Sequence, residues 1–381
     1  MANAHAPAVR FPVEPHDSAA LQSAASDDTC VRLRDDPVSL LPGDKQFPAF
    51  RLIYQLPRLY TERGFRSVPR VFATWLFGEL NAKVIPYALP PRNKSEGFRT
   101  DFGYRAYHIS WMVVEGSHAL ANAEAGIVGS LDRLIVAQIN RRLLGQADSG
   151  PRKMDQFAAS SWRALRNGFE DASKTGKSAR IATGWLPLPS SALHFYSDSL
   201  SNTSRPGPDI VPLSEPAMIF GGANLYPLIR GHLQGNGAGD PWLLVIDEWQ
   251  PVLVDRFSFD DDPGQGPTQW LYGAINSALR SQPGVLTYAN GRATSQPLGL
   301  WDPRGYLRVK GTPESPVIEL LNQSFVDFAN EVGRPLLALR SKRNCLNVAA
   351  MECQPFELRS VGPPRPLPGD KPRKYPLHGS G

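Results

Sequence analysis

Apolar positions along the chain follow two regimes. Up to about residue 178 they recur at helical spacing. A short helix is predicted from Leu56-Pro57 to Gly64, and a second after Ser67, with Val71, Phe72, Trp75, Leu76 and Leu80 on one stripe. Residues 104–115 alternate and are β-branched or aromatic at their centre, which predicts a strand. A helix is predicted over 130–144, with Ser130 as N-cap, Asp132 in the first turn, Arg141 and Arg142 in the last, and Gly145 beyond. Another is predicted over 154–173. From residue 180 short strand patterns recur at 180–185, 193–196, 217–220, 242–246, 252–259, 284–288 and 306–309, separated by Gly/Pro turns. A last helix, 316–331, precedes a strand-like 336–339. Helices come first and strands later, without βα alternation. That order predicts an α+β fold, with N-terminal helices packed on a mostly antiparallel sheet, and argues against a doubly wound nucleotide fold.

The ends read differently. Residues 1–47 are rich in Ala, Ser, Pro and Asp without periodicity, and are expected to form a poorly ordered leader. Residues 362–381 form a proline-rich basic tail, too dense in proline for helix or sheet and therefore extended. Between them lies a single body, 48–361, helix-rich to 178 and strand-rich from 179. Thirty-six prolines and 33 glycines fit many short strands and turns rather than a bundle.

The net charge of +5 is unevenly placed: from Arg340 onward there are eight basic against three acidic side chains. The body is nearly balanced, so no specific nucleic-acid binding is expected. Three cysteines, Cys30, Cys345 and Cys353, show no CxxC spacing, which argues against zinc and against a disulfide framework. Cys345 and Cys353 could bridge, but buried thiols are the expectation. No apolar run is long enough to span a membrane as a helix, and the first 21 residues lack a signal-peptide core. A cytoplasmic origin is expected, with any export by a signal-independent route.

The candidate chemistry centres on residues 242–259, WLLVIDEWQPVLVDRFSF, where Asp247-Glu248 separates two β-rich runs and Asp260–Asp262 follows. A strand ending in Asp-Glu suggests a nucleotide hydrolase, but the phosphate loop is missing. The nearest match, residues 173–178, has Asp171 where its first glycine belongs. No cofactor is predicted. Clustered carboxylates suit a divalent metal, so a metal-dependent nuclease or phosphodiesterase is the alternative reading. It would use Asp247, Glu248 and Asp255 with His232 as base, and Asp260 and Asp262 as metal ligands. The plainer reading is a solvated acidic hairpin. His194 and Asp198 lie among serines without a nucleophile elbow, and His108 and His118 make no zinc spacing. An interaction role would use exposed aromatics, Trp249, Trp270 and Tyr272, with Lys371, Arg373 and Lys374 of the tail.

Several segments, in order, resemble a bacterial domain-of-unknown-function family often encoded beside type VI secretion spike genes. They are residues 56–79 (LPRLYTERGFRSVPRVFATWLFGE), 109–127 (ISWMVVEGSHALANAEAGI), 254–259 (VDRFSF), 296–302 (QPLGLWD) and 321–334 (LNQSFVDFANEVGR). The 109–127 segment is similar to that family's strand followed by an alanine-rich turn. The resemblance spans about residues 50–340 and supplies no catalytic residues. It implies a protein associated with type VI secretion, either a delivered antibacterial effector or an accessory interaction component. Its partner would be a secretion component or an immunity protein.

Overall fold

A computed structural model of the chain describes residues 36–62, 64–79, 87–101, 104–144, 155–175, 178–195, 214–235, 241–260, 304–311, 316–342, 351–367 and 372–377. It also describes residues 30, 33, 85 and 345 and the strand segments 270–271, 288–289 and 292–293. Two helices open the body, α1 (Pro48–Glu62) and α2 (Val68–Phe77). Phe50, Ile53, Leu56 and Tyr60 give α1 a buried stripe, and that packing carries the helix through Pro57, where one backbone bond is missing. Ser67 does precede α2, but its hydroxyl donates to Glu96 Oε1 at 2.6 Å. The cap is Glu215 instead, whose Oε1 accepts from the N–H groups of Arg66, Ser67 and Val68 at 2.7, 2.9 and 3.4 Å. A carboxylate suits the positive end of the helix.

A hairpin follows, β1 (Gly97–Asp101) with β2 (Tyr104–Ile109). The strand expected to reach residue 115 ends at Ile109, because Trp111–Val113 forms a 3-10 turn. Next come α3 (His118–Gln138) and α4 (Asp155–Thr175). The N-cap of α3 is Ser117, which accepts from Leu120 N–H at 3.3 Å. Ser130 lies inside the helix and bonds back to Gly126 O at 2.9 Å. The alanine-rich stretch expected as a turn is thus helix, as alanine's propensity favours.

The next elements are β3 (Ala179–Pro187), β4 (Ser191–His194), α5 (Glu215–Ile219), β5 (Gly222–Gly235) and β6 (Trp242–Phe257). Residues 217–220 are therefore not a strand; Ser214 and Pro216 start a helical turn there. The two runs around Asp247-Glu248 join into one 16-residue strand rather than a hairpin. Short strands β7 (Trp270–Leu271), β8 (Tyr288–Ala289) and β9 (Arg292–Ala293) precede β10 (Leu307–Gly311) and β11 (Pro316–Leu320). Helices α6 (Asn322–Phe328) and α7 (Arg334–Lys342) follow. The expected helix over 316–331 thus begins as a strand, and the strand-like 336–339 lies in α7. The chain then forms β12 (Phe356–Val361), β13 (Arg365–Pro366) and β14 (Arg373–Leu377).

The main sheet runs β1-β2-β12-β6-β5-β3, with β4 beside β5. All its pairs are antiparallel except β2 with β12. Along the other edge of β6 lie β12, β13 and β14 in succession, from Phe356↔Phe257 to Leu377↔Trp242. Within the segment expected as an unpaired tail, Arg365–Pro366 and Arg373–Leu377 are therefore sheet. Pro366 and Pro376 are tolerated because β13 and β14 pair only with β6 and need few N–H donors.

Leu225, Ile229, Leu253, Phe257 and Leu358 place one face of this sheet in a core shared with the helices. Phe72, Trp75, Phe257, Phe259 and Phe325 interlock within it, the rings of Phe259 and Phe325 stacked at 3.9 Å. The result is an α+β fold. On the opposite sheet face Tyr226, Leu228, Val252 and Val254 form a second, smaller core with Trp185 and Val361.

The described part of the leader, residues 30, 33 and 36–47, also differs from expectation. Leu33, Val38, Leu41 and Phe47 are buried in the main core, and Cys30 is disulfide-bonded to Cys345. Cys353 is a buried free thiol. The disulfide corrects the expectation of buried thiols: spacing could not bring together two residues 315 positions apart. Residues 1–29 lie outside the described residues. No helix among the described residues is long and apolar enough to cross a membrane.

Candidate functional site

The strand pattern around Asp247 contains an irregularity that side-chain alternation does not reveal. On the β5–β6 ladder Arg230 pairs with Glu248 but Gly231 with Ile246, leaving Asp247 as an extra residue. The neighbouring β3–β5 ladder shifts at the same level, between Ala182 and Trp185. Two bulges side by side bend the sheet and re-aim side chains. Thr183 joins them: its hydroxyl accepts from Gly231 N–H at 2.9 Å and donates to Gly184 O at 2.7 Å. Gly184 supplies the left-handed backbone, with φ of 62°. A Cβ at Gly231 would lie 1.9 Å from Val245 O, so only glycine fits there.

This double bulge brings together His232, Asp247 and Glu248, three of the residues singled out in the sequence. His232 Nδ1 is 3.6 Å from Asp247 Oδ2 and 3.4 Å from a guanidinium nitrogen of Arg180. One partner can only accept and the other only donate, so the imidazole meets Arg180 when Nδ1 is bare and Asp247 when it is protonated. Glu248 is held by Arg230, whose guanidinium also covers the Trp185 ring at 4.6 Å. Asp247, Arg230 and Arg180 are exposed, while His232 and Trp185 are half-buried.

The remaining candidates do not join this site. Asp255 lies half-buried on β6 opposite Leu358, eight residues from Asp247 and so roughly 25 Å along the strand. Asp260 is exposed beyond the strand, 3.5 Å from Arg256. Asp262, Tyr272 and Lys371 lie outside the described residues, as does the side chain of Trp270 on β7. Among the described residues, no group of three or more His, Cys, Asp or Glu side chains is placed to hold a metal. Trp249, expected as an exposed aromatic, is 3% exposed in the core, with Arg365 over its ring at 5.7 Å. Arg373 pairs with Asp132 at 2.6 Å, and Lys374 is exposed on β14.

Sequence reasoning missed Arg180, Thr183, Trp185 and Arg230 as members of this group because β5 was not recognised as a strand. A signal was present. Ala223, Leu225, Ile229 and Leu233 alternate toward the core, with Pro227 and Gly231 at the intervening core-side positions hiding the period.

A second charged group lies at the β1–β2 end of the sheet. Arg359, with a side chain only 3% exposed, pairs with Asp101 and donates from Nε to Glu357 at 2.6 Å. His108 Nε2 is 3.2 Å from Asp101 Oδ2, within ion-pair reach but off the line of a good hydrogen bond. Burial pushes the Asp101 carboxyl up, but His108 and the Arg359 charge outweigh it and hold the group below the usual carboxylate range. This group ties β12 to the β1–β2 hairpin.

Comparison with known protein families, curated proteins and solved structures found no match to the chain.

Proposed function

We propose that the chain acts by binding another protein, as a delivered or accessory component associated with type VI secretion. The observation that carries the binding role is the Arg230–Trp185 stack at the double bulge. An arginine over a half-buried tryptophan, held in place by the Arg230–Glu248 pair, presents the two residue types that most often dominate protein interfaces. The secretion setting rests on the resemblance of residues 50–340, and the partner it suggests is a secretion component or an immunity protein.

The alternative, a metal-dependent hydrolase, draws on His232 beside Asp247. Its carboxylates, however, are spread along one strand, and Glu248 and Asp260 are taken up by Arg230 and Arg256. Expression in a bacterial host, in the cytoplasm and through an export signal in the periplasm, separates the two. The binding reading expects Asp247→Ala combined with Asp255→Ala to leave any growth defect unchanged. Loss of that defect by a double variant that still folds would replace binding with hydrolysis.

A further inference from the structure

The described residues of the N-terminal segment, Cys30, Leu33 and 36–47, are held chiefly by what they bury. They include two 3-10 turns, Pro37–Leu40 and Gly43–Lys45, and none of them pairs with a strand. Such turns are weak by themselves. Leu33, Val38, Leu41 and Phe47 nevertheless reach the core, and Phe47 packs edge-on against Phe50 and Tyr306 at 5.2 and 5.5 Å beneath the Arg304 guanidinium. The exposed pair Arg51–Asp36 adds one tie to α1. At its head the segment is bonded through Cys30 to Cys345, just beyond α7.

From this we infer that the chain completes its fold in an oxidising compartment, where the Cys30–Cys345 bond latches residues 30–47 over the helical layer, and that a reducing compartment leaves the segment unlatched. The inference is independent of the binding role proposed above. Structural disulfides persist where thiols are not kept reduced. The pairing is selective as well. The third cysteine, Cys353, is buried with its thiol pushed well up by that burial, so it supplies almost no thiolate to compete. Cys345 is 4% exposed in the folded chain, so an oxidant reaches it only while the segment is undocked.

Bond formation is a thiol–disulfide exchange with an oxidised dithiol catalyst. One cysteine thiolate attacks the catalyst disulfide and releases one of its sulfurs as a thiolate. The second cysteine thiolate then attacks the mixed disulfide and releases the other. Two electrons and two protons pass from Cys30 and Cys345 to the catalyst, which leaves as a dithiol.

The test compares the full chain made in a bacterial cytoplasm with the same chain exported to the periplasm. Each is denatured, alkylated without reductant and weighed. All three cysteines should be alkylated in the first sample, and Cys353 alone in the second, with a Cys30–Cys345 peptide in the digest. The oxidised protein should melt about 7 °C above its reduced form. Cys30→Ser should melt with the reduced form, and Cys353→Ser should keep the oxidised advantage. Three free thiols after export, a bridge that includes Cys353, or equal melting of oxidised and reduced protein would each overturn the inference.

Discussion

At Gly231 the backbone of β5 comes so close to Val245 that no side chain can be accommodated without moving one strand. Gly231→Ala should therefore lower stability by about 3 kcal/mol in urea denaturation, the size expected when a strained backbone position is violated. A loss below about 0.5 kcal/mol, the range of ordinary surface changes, would mean that the bulge is not built as described. Arg359 is the opposite case, a residue held by its charge. Arg359→Ala leaves Asp101 and Glu357 partly buried without their cation and should cost about 3–5 kcal/mol. It should also change the acid response. Because the folded Asp101 carboxyl titrates below its unfolded value, its stabilisation is present above the ordinary carboxylate pKa near 4 and is lost as pH falls through the folded value. Removing Arg359 raises the folded value, so acid unfolding should begin at higher pH in the variant. An unchanged midpoint in a circular-dichroism pH titration would refute this.

Among the elements, α3 and the C-terminal strands are tied by charge. Asp132 accepts from Tyr375 at 2.5 Å and pairs with Arg373, while Glu124 pairs with Arg365 at 2.7 Å. The Tyr375 hydrogen bond and the Arg373 charge together hold the Asp132 carboxyl below its usual range. Tyr375→Phe removes only the hydrogen bond and should cost about 1 kcal/mol. Ending the chain before Arg365 is a larger change, because it bares the β6 edge from Trp242 to Trp249. Exposed edges invite pairing with other chains, so the truncated protein should self-associate in sedimentation; a monomer of unchanged stability would contradict the edge role.

The same elements show what could be read from the chain. The stripe of α2 and the existence of α4 and β3 were legible, since their periodicity is local. The start of α3 was misplaced because Ser130 and Ser117 are equally good caps, and only packing selects between them. Proline hid β13 and β14, which pair with β6 alone, and Pro227 hid β5, where it falls between the stretches that pair with β3 and with β4 and lies opposite Pro251. At the site, His232, Asp247 and Glu248 were legible by residue type. Their grouping was not, because a bulge is a property of two strands and β5 had not been recognised.

For the whole molecule, the main core extends from Leu33 to Leu377 and joins leader, helices, sheet and C-terminal strands. The Cys30–Cys345 bond links the first described residue to the loop after α7. A covalent closure over that separation restricts the unfolded chain by about 6 kcal/mol in the loop-entropy description. Within that frame the double bulge exposes an arginine–tryptophan stack on a face away from the main core, which we propose as a recognition surface. The most direct test is surface-plasmon binding of the purified chain to a purified type VI secretion spike protein, the partner class that the proposed function suggests. The wild type and the Asp247→Ala, Asp255→Ala double variant should bind alike, while Trp185→Ala with Arg230→Glu should weaken binding at least about tenfold without unfolding the protein. No binding by the wild type, or equal binding by the Trp185 and Arg230 variant, would contradict the account.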